Sequence, residues 1–210
     1  MHKSNKTPRK GKLLSYRYSI VYHPVRKELG LTIFQYCLLE ILVRHSKQNE
    51  YSNGVKFLAD YLFVTRKRVY DALKKFAGKG WITWDADEKV FTLDADLLDD
   101  MKNTGSATGE NLQYTQIFHV LRNSLGVEFK SYCVLDAVFH LSKAKGVSEA
   151  SPTHFEKWFE LPERDFYRKR NELDPFLIRT GVFWLKLKPK IKGEFAKYEA
   201  LLEEKCSKTA

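Results

Sequence analysis

The spacing of apolar positions cuts the chain into short elements. Residues 16–22 and 114–120 are rich in β-branched and aromatic side chains and predict two short strands. After the first, Thr32 stands where a hydroxyl caps a helix, and Ile33, Cys37, Leu38, Ile41 and Leu42 form one apolar stripe. After the second, Phe129, Cys133, Val134, Ala137, Val138 and Leu141 repeat that stripe. Leu58, Ala59, Leu62 and Phe63 predict a short amphipathic helix, with Val64 in a tight turn. Thr65 then caps a helix in which Val69, Leu73 and Phe76 face inward at i, i+4 and i+7. Gly78 and Gly80 end it, and the strand opened by Trp81-Ile82-Thr83-Trp84 returns through Lys89–Leu93. Further on, Ser151-Pro152 has the cap-then-proline form of a helix start, with Phe155, Trp158, Phe159 and Leu161 apolar. Pro162 opens the next helix, with Phe166 and Leu173 inward. A hairpin is predicted from Phe176–Arg179, a turn at Thr180-Gly181, and Val182–Lys192; the tail from Glu194 has helical spacing at Phe195, Tyr198, Leu201 and Leu202.

The pattern is duplicated. A shift of 96 residues places His23 on His119, Arg26 on Arg122, Leu29-Gly30 on Leu125-Gly126 and Tyr36-Cys37 on Tyr132-Cys133. Leu39 then meets Leu135, and Ser46-Lys47 meets Ser142-Lys143, without a gap. That is nine identities over residues 23–47, where chance gives roughly one or two. The expected class is α+β, mainly helical, with a domain at 16–100 and a diverged second copy at 113–192. A basic flexible arm (1–15), a polar linker (101–112) and a helical tail (193–210) complete the expected organisation.

Leu58, Ala59, Leu62, Val64, Thr65, Val69, Ala72, Leu73, Gly80 and Ile82 fall on the consensus spacing of winged helix-turn-helix proteins, with Phe76 at its last leucine. The stretch 33–93 closely resembles that family. The resemblance implies that the helix opening at Thr65 is a recognition helix, which lies in the major groove and presents its first turn to base edges. Arg66, Lys67 and Arg68 crowd that turn, Tyr70 and Lys74 lie one turn on, and Lys75 flanks them. Arginine at guanine discriminates between bases, whereas lysine on phosphate adds affinity alone. Asp71 has two open readings, acceptor from cytosine or partner of Lys67, Lys74 or Lys75. In the second copy Arg164, Tyr167 and Arg168, with Asn171, form the outward face, although Glu163 and Asp165 occupy its first turn. Lys186, Lys188, Lys190 and Lys192 share one side of the expected ribbon, as a phosphate track or a protected sheet edge. Two such units in one chain, opening with a strand and Leu29-Gly30-Leu31-Thr32, resemble the replication initiators of plasmids and bacteriophages.

Charge sharpens this reading. The net charge is +10 and the pI about 9.4, but the surplus is local. Residues 1–30 hold eight basic side chains against one acid, among them Lys6, Arg9 and Lys10 in an arm suited to DNA. Residues 85–100 hold seven acids against Lys89, so the wing tip at Asp85, Asp87 and Glu88 is expected to stay off the phosphate backbone and to face solvent or basic protein.

The 43% hydrophobic content, with 14 Phe, 11 Tyr and 4 Trp, excludes a wholly disordered chain. No apolar run approaches the roughly 20 residues of a membrane span, and the start is no secretory signal, so a cytoplasmic protein is expected. No nucleotide-binding GxxxxGK[ST], HExxH, GxSxG or nicking His pair occurs, so neither enzymatic activity nor a cofactor is expected. Cys37 and Cys133, with Cys206 in the tail and no CxxC, and His23 and His119 without ligand spacing, predict no metal, and the matched cysteines and histidines are expected as structural core residues. The expected partner is double-stranded DNA, with a second copy or a host replication or transcription protein as additional partner; no small-molecule ligand is expected. Two alternatives remain: a transcription regulator of the same fold, and a phage-type module whose winged helices bind a host protein.

Overall fold

The computed structural model describes residues 17–85, 87–88, 90–104, 114–146, 148, 151–181 and 184–207. In chain order, β1 (Tyr18–Tyr22) leads into α1 (His23–Glu28) and α2 (Ile33–His45), then β2 (Glu50–Tyr51), α3 (Gly54–Leu62) and α4 (Arg66–Gly78). The hairpin β3 (Ile82–Asp85) and β4 (Val90–Leu93) and helix α5 (Ala95–Thr104) close the first half. The second runs through β5 (Tyr114–Phe118), α6 (His119–Ser124), α7 (Phe129–Lys145), α8 (Pro152–Phe159) and α9 (Glu163–Glu172). It ends with β6 (Leu177–Arg179), β7 (Leu185–Leu187) and α10 (Pro189–Ser207). The class is α+β and mainly helical, and the element order of the first half recurs in the second. Where β2 lies against β4 in the first half, among the described residues the second has a bridge from Ser148 to Leu185 on β7.

Local chemistry fixes the helix ends. Thr32 accepts the Gln35 amide at 3.2 Å while the Gln35 side chain accepts the Thr32 amide at 3.1 Å, a reciprocal cap that satisfies two otherwise orphaned donors. The Thr65 hydroxyl accepts the Arg68 amide at 3.3 Å and starts α4. At the C-termini of α3 and α8, Phe63 (φ 50°) and Glu160 (φ 52°) adopt the left-handed conformation without being glycine. Each reverses the chain sharply enough to set the next helix across the previous one.

The two halves meet through their first strands. β1 and β5 pair antiparallel, with Ile20 opposite Gln116, Tyr18 opposite Phe118 and Tyr22 opposite Tyr114. Ile20 thus faces the residue 96 positions further on, and the matched strands cross about a local two-fold axis. The side chains obey it: Ser19 Oγ hydrogen-bonds His119 Nε2 at 3.0 Å, and His23 Nε2 hydrogen-bonds Thr115 Oγ1 at 2.9 Å. Burial, helped by the Arg26 and Lys27 charges, pushes the His23 pKa down to about 3. Burial and Arg122 hold His119 far below the ordinary histidine value. Phe34 meets Phe129 edge-on at 5.6 Å, Cys37 and Cys133 are buried and free, and one apolar core runs through both halves. The halves are therefore not beads on a linker.

Three expectations are corrected. The predicted strand Val182–Lys192 stops at Leu187, and Pro189, which within that strand suggests a sheet edge or a departing arm, begins α10. Proline has no amide to donate and its φ suits a first helical turn, while the Lys188 carbonyl accepts the Lys192 amide at 2.9 Å. Ile191, Phe195, Tyr198 and Leu202 continue the apolar stripe; Phe195 stacks on Tyr132 at 5.3 Å, and Tyr198 meets Phe118 at 5.4 Å. The tail helix therefore starts before Glu194 and crosses the expected boundary at 192/193. Finally, α5, which starts where the Asp94 carboxylate accepts the Leu97 amide at 2.9 Å, runs through 101–104, the start of the expected linker. The rest of that linker, and the strand start at Tyr16, lie outside the described residues.

Candidate nucleic-acid interface

Helix α4 divides cleanly by face. Val69, Ala72, Leu73 and Phe76 are buried, while Arg66, Lys67, Arg68, Tyr70, Asp71, Lys74 and Lys75 are exposed. The inward stripe docks the helix, so its cations are left on the outer surface. No acid lies in its first turn, where the helix dipole already favours anions. Arg66 and Lys67 thus combine two sources of positive potential at one helix end.

Arg68 takes a different position from the one its sequence neighbours suggest. Its guanidinium lies 4.4 Å from the centre of the Phe34 ring and 5.6 Å from that of Phe129, over the seam between the halves. Lys75 reaches back to Gln35 Oε1 at 3.4 Å, and Lys79 donates to the Leu29 carbonyl at 2.8 Å while lying over Trp81. These three hold the helix against the body of the protein, while Arg66, Lys67, Tyr70, Asp71 and Lys74 stand exposed.

Between α4 and the β3–β4 hairpin runs a groove of about 320 Å³, lined by Tyr70, Leu73 and Lys74 on one side and Trp84 and Phe91 on the other. Trp84 is 48% exposed and lies 4.4 Å from Phe91, and Tyr70 is 52% exposed. Sequence reasoning missed Trp84 as a surface feature; its two-residue spacing from buried Ile82 gave no sign that the strand end leaves the core. At the hairpin tip Asp85 accepts the amides of Asp87 and Glu88 at 2.9 and 3.0 Å, so the acids are exposed and fixed in a turn.

The matching face of α9 is electrically quieter. Arg168 is paired with Asp165 at 3.0 Å and the Tyr167 hydroxyl donates to Glu163 at 3.3 Å, while Arg164 is exposed. Lys169 is shared between Glu128 and Glu172. The lysine comb is broken: Lys186 lies in β7 and is half-buried, Lys188 follows the strand, and Lys190 and Lys192 lie on α10. They do not share a strand face because the backbone changes period at Pro189. The arm residues Lys6, Arg9 and Lys10 lie outside the described residues.

Two arginines whose role the sequence did not disclose connect the halves at the turns between α3 and α4 and between α8 and α9. Arg122 donates through Nη1 to the Val127 carbonyl at 3.0 Å and through Nη2 to the Leu62 carbonyl at 2.7 Å, at the end of α3 in the opposite half. Its counterpart Arg26 donates to the Leu31 carbonyl and to Glu160, both at 2.7 Å, the latter at the end of α8. Lys27 and Lys130 add donors to the Lys157 and Glu160 carbonyls. The identity of the two arginines at an offset of 96 was visible; that each crosses to the other half was not.

Among the described residues no group of three or more His, Cys, Asp or Glu is placed to hold a metal, and no helix is long and apolar enough to cross a membrane. Comparison with known families, curated proteins and solved structures finds no match.

Proposed function

We propose that this chain binds duplex DNA sequence-specifically through two winged helix-turn-helix units derived from an internal duplication, in the manner of a replication initiator or other origin-binding protein. One observation carries the reading: α4 follows a left-handed elbow at Phe63 and exposes Arg66, Lys67, Tyr70 and Lys74 on the face opposite its buried stripe. Such a helix suits the major groove, and in this reading Arg66 reads a base edge while Lys67 and Lys74 meet phosphate. Arg68, stacked on the seam, is assigned to bracing the helix and not to reading. The local two-fold relating β1 to β5 supports a target made of two half-sites in inverted orientation. The half-sites are unequal, because α9 carries neutralised charges where α4 carries free ones.

The test is selection of duplexes from a random pool by the full chain, followed by titration of the winners at several salt concentrations. The expected result is a discrete inverted motif and an affinity that falls steeply with salt. No retention of duplex at about 50 mM salt overturns the reading. The exposed acidic tip at Asp85, Asp87 and Glu88 favours, in that event, a protein-binding module.

A further inference from the structure

The two halves differ at one matched place. In the first, Arg44 on α2 donates through Nη2 to the Tyr18 carbonyl at 2.5 Å and to Glu40 at 3.0 Å, with the Tyr61 hydroxyl at 3.4 Å. Its guanidinium lies 4.8 Å from the centre of the Tyr18 ring. A carboxylate, a strand carbonyl and two aromatic rings thus enclose one planar cation.

In the second half the enclosure recurs without the cation. Tyr114 stands for Tyr18, Asp136 for Glu40 and Trp158 for Tyr61, the last one residue further on than the offset of 96. His140 replaces Arg44 and Ala137 replaces Ile41, and both are smaller. A cavity of about 290 Å³ opens where they retreat, lined by His23, Tyr114, Asp136, His140 and Trp158 among others. Asp136 is 3% exposed, and its one ion pair among the described residues is a long one with His140, Nε2 to Oδ1 at 3.5 Å. His140 also lies 4.0 Å from Glu199, which Lys143 holds at 2.5 Å. His23 is buried, and its Nδ1 has no hydrogen-bond partner among the described residues. Tyr114 and Leu141 stand exposed at the rim.

We propose that this pocket binds a guanidinium cation, held by Asp136 and stacked against Tyr114 and Trp158 in the place that Arg44 fills in the other half. A carboxylate so poor in donors gains most from a charged, planar donor that presents two N–H groups along one edge. The aromatic walls favour a flat, weakly hydrated cation over a compact ammonium. The guanidinium comes either from an arginine side chain of another protein or from a free small guanidine; the chemistry recognised is the same. The site makes no use of α4 and stands whether or not the chain binds DNA.

The experiment is calorimetric titration of the full chain with N-acetyl-arginine amide, free L-arginine, methylguanidinium and, as control, N-acetyl-lysine amide. Saturable binding at one site is expected, with the capped arginine at least about tenfold tighter than the capped lysine. The Trp158 indole resonance, assigned by Trp158→Phe, is expected to move with it. His140→Arg supplies the missing group from within and is expected to weaken binding at least about tenfold without lowering the urea midpoint. Asp136→Asn is expected to abolish guanidine binding, and His140→Arg keeps the test decisive if that variant fails to fold. Tighter binding of capped than of free arginine indicates a partner's side chain, the reverse a free guanidine; both uphold the site. Absence of saturable binding by every guanidine, equal binding of the lysine control, or undiminished binding by His140→Arg overturns it.

Discussion

Replacing Arg122 with methionine keeps the length and packing of the side chain and removes its charge and donors. Two carbonyls lose short charged hydrogen bonds, Leu62 at 2.7 Å and Val127 at 3.0 Å, and Phe63 loses a long one at 3.5 Å; the site regains water poorly, since Arg122 is 6% exposed. At roughly 1.5–3 kcal/mol per hydrogen bond to a charged group, the gross loss is about 3–6 kcal/mol. Part returns, because methionine carries no desolvation penalty and the buried Nε without a partner disappears. The net expectation is a loss of about 2–4 kcal/mol. The matched change Arg26→Met is the internal control. It costs one carbonyl bond, at Leu31, and an ion pair whose acid, Glu160, is 57% exposed, while relieving two orphaned nitrogens. Its expected cost is about 0–2 kcal/mol. Urea unfolding reads both: the Arg122→Met midpoint should fall by about 1–2 M at unchanged slope, and the Arg26→Met midpoint by less. An Arg26→Met shift equal to or larger than that of Arg122→Met refutes the reasoning, as does a neutral Arg122→Met.

Acid stability should depend on the histidines of the seam. His23 has a folded pKa of about 3 against an ordinary 6.5, so the folded state binds fewer protons and its advantage is lost as pH falls below 6.5. Relative to His23→Gln, the native chain should lose about 1.4 kcal/mol per pH unit over that window; parallel stability curves would sink the idea. Glu40, pushed up to about 7 by burial, shifts stability the opposite way, so the difference between the two proteins is the quantity to read. Thr65→Ala should cost about 1 kcal/mol by orphaning the Arg68 amide, and Thr65→Asp should restore it in thermal melts; equal losses would disprove the cap. On DNA, Arg66→Ala should cost about 1–3 kcal/mol on the selected site and little on random duplex. Lys67→Ala should weaken both alike and reduce the salt slope by about 1. Equal losses from Arg66→Ala on both duplexes would refute base reading.

The parts of this molecule legible in the sequence are those decided within a few residues. The caps at Thr32, Thr65 and Ser151 and the inward stripe Val69, Leu73, Phe76 lie where the pattern put them, because capping and amphipathicity depend on neighbours three or four positions away. The exposed cations of α4 follow from the same stripe. Pro189 misled through the same locality: read as part of an edge strand or a departing arm, it opens a helix because Phe195 and Tyr198 find Tyr132 and Phe118 to pack on, in a distant segment. Arg68 reads like its neighbours until Phe34 and Phe129 are brought together beneath it.

The offset of 96 belongs wholly to the sequence, which determines two like halves and most of their elements. That Ile20 lies on Gln116, that His23 and His119 exchange partners across the seam, and that Arg122 reaches the opposite elbow were decided only by the tertiary structure. Repetition says what the halves share, but not which surfaces they turn toward each other. That choice depends on burying two strand edges and two sets of aromatic faces at once, between residues about 100 positions apart.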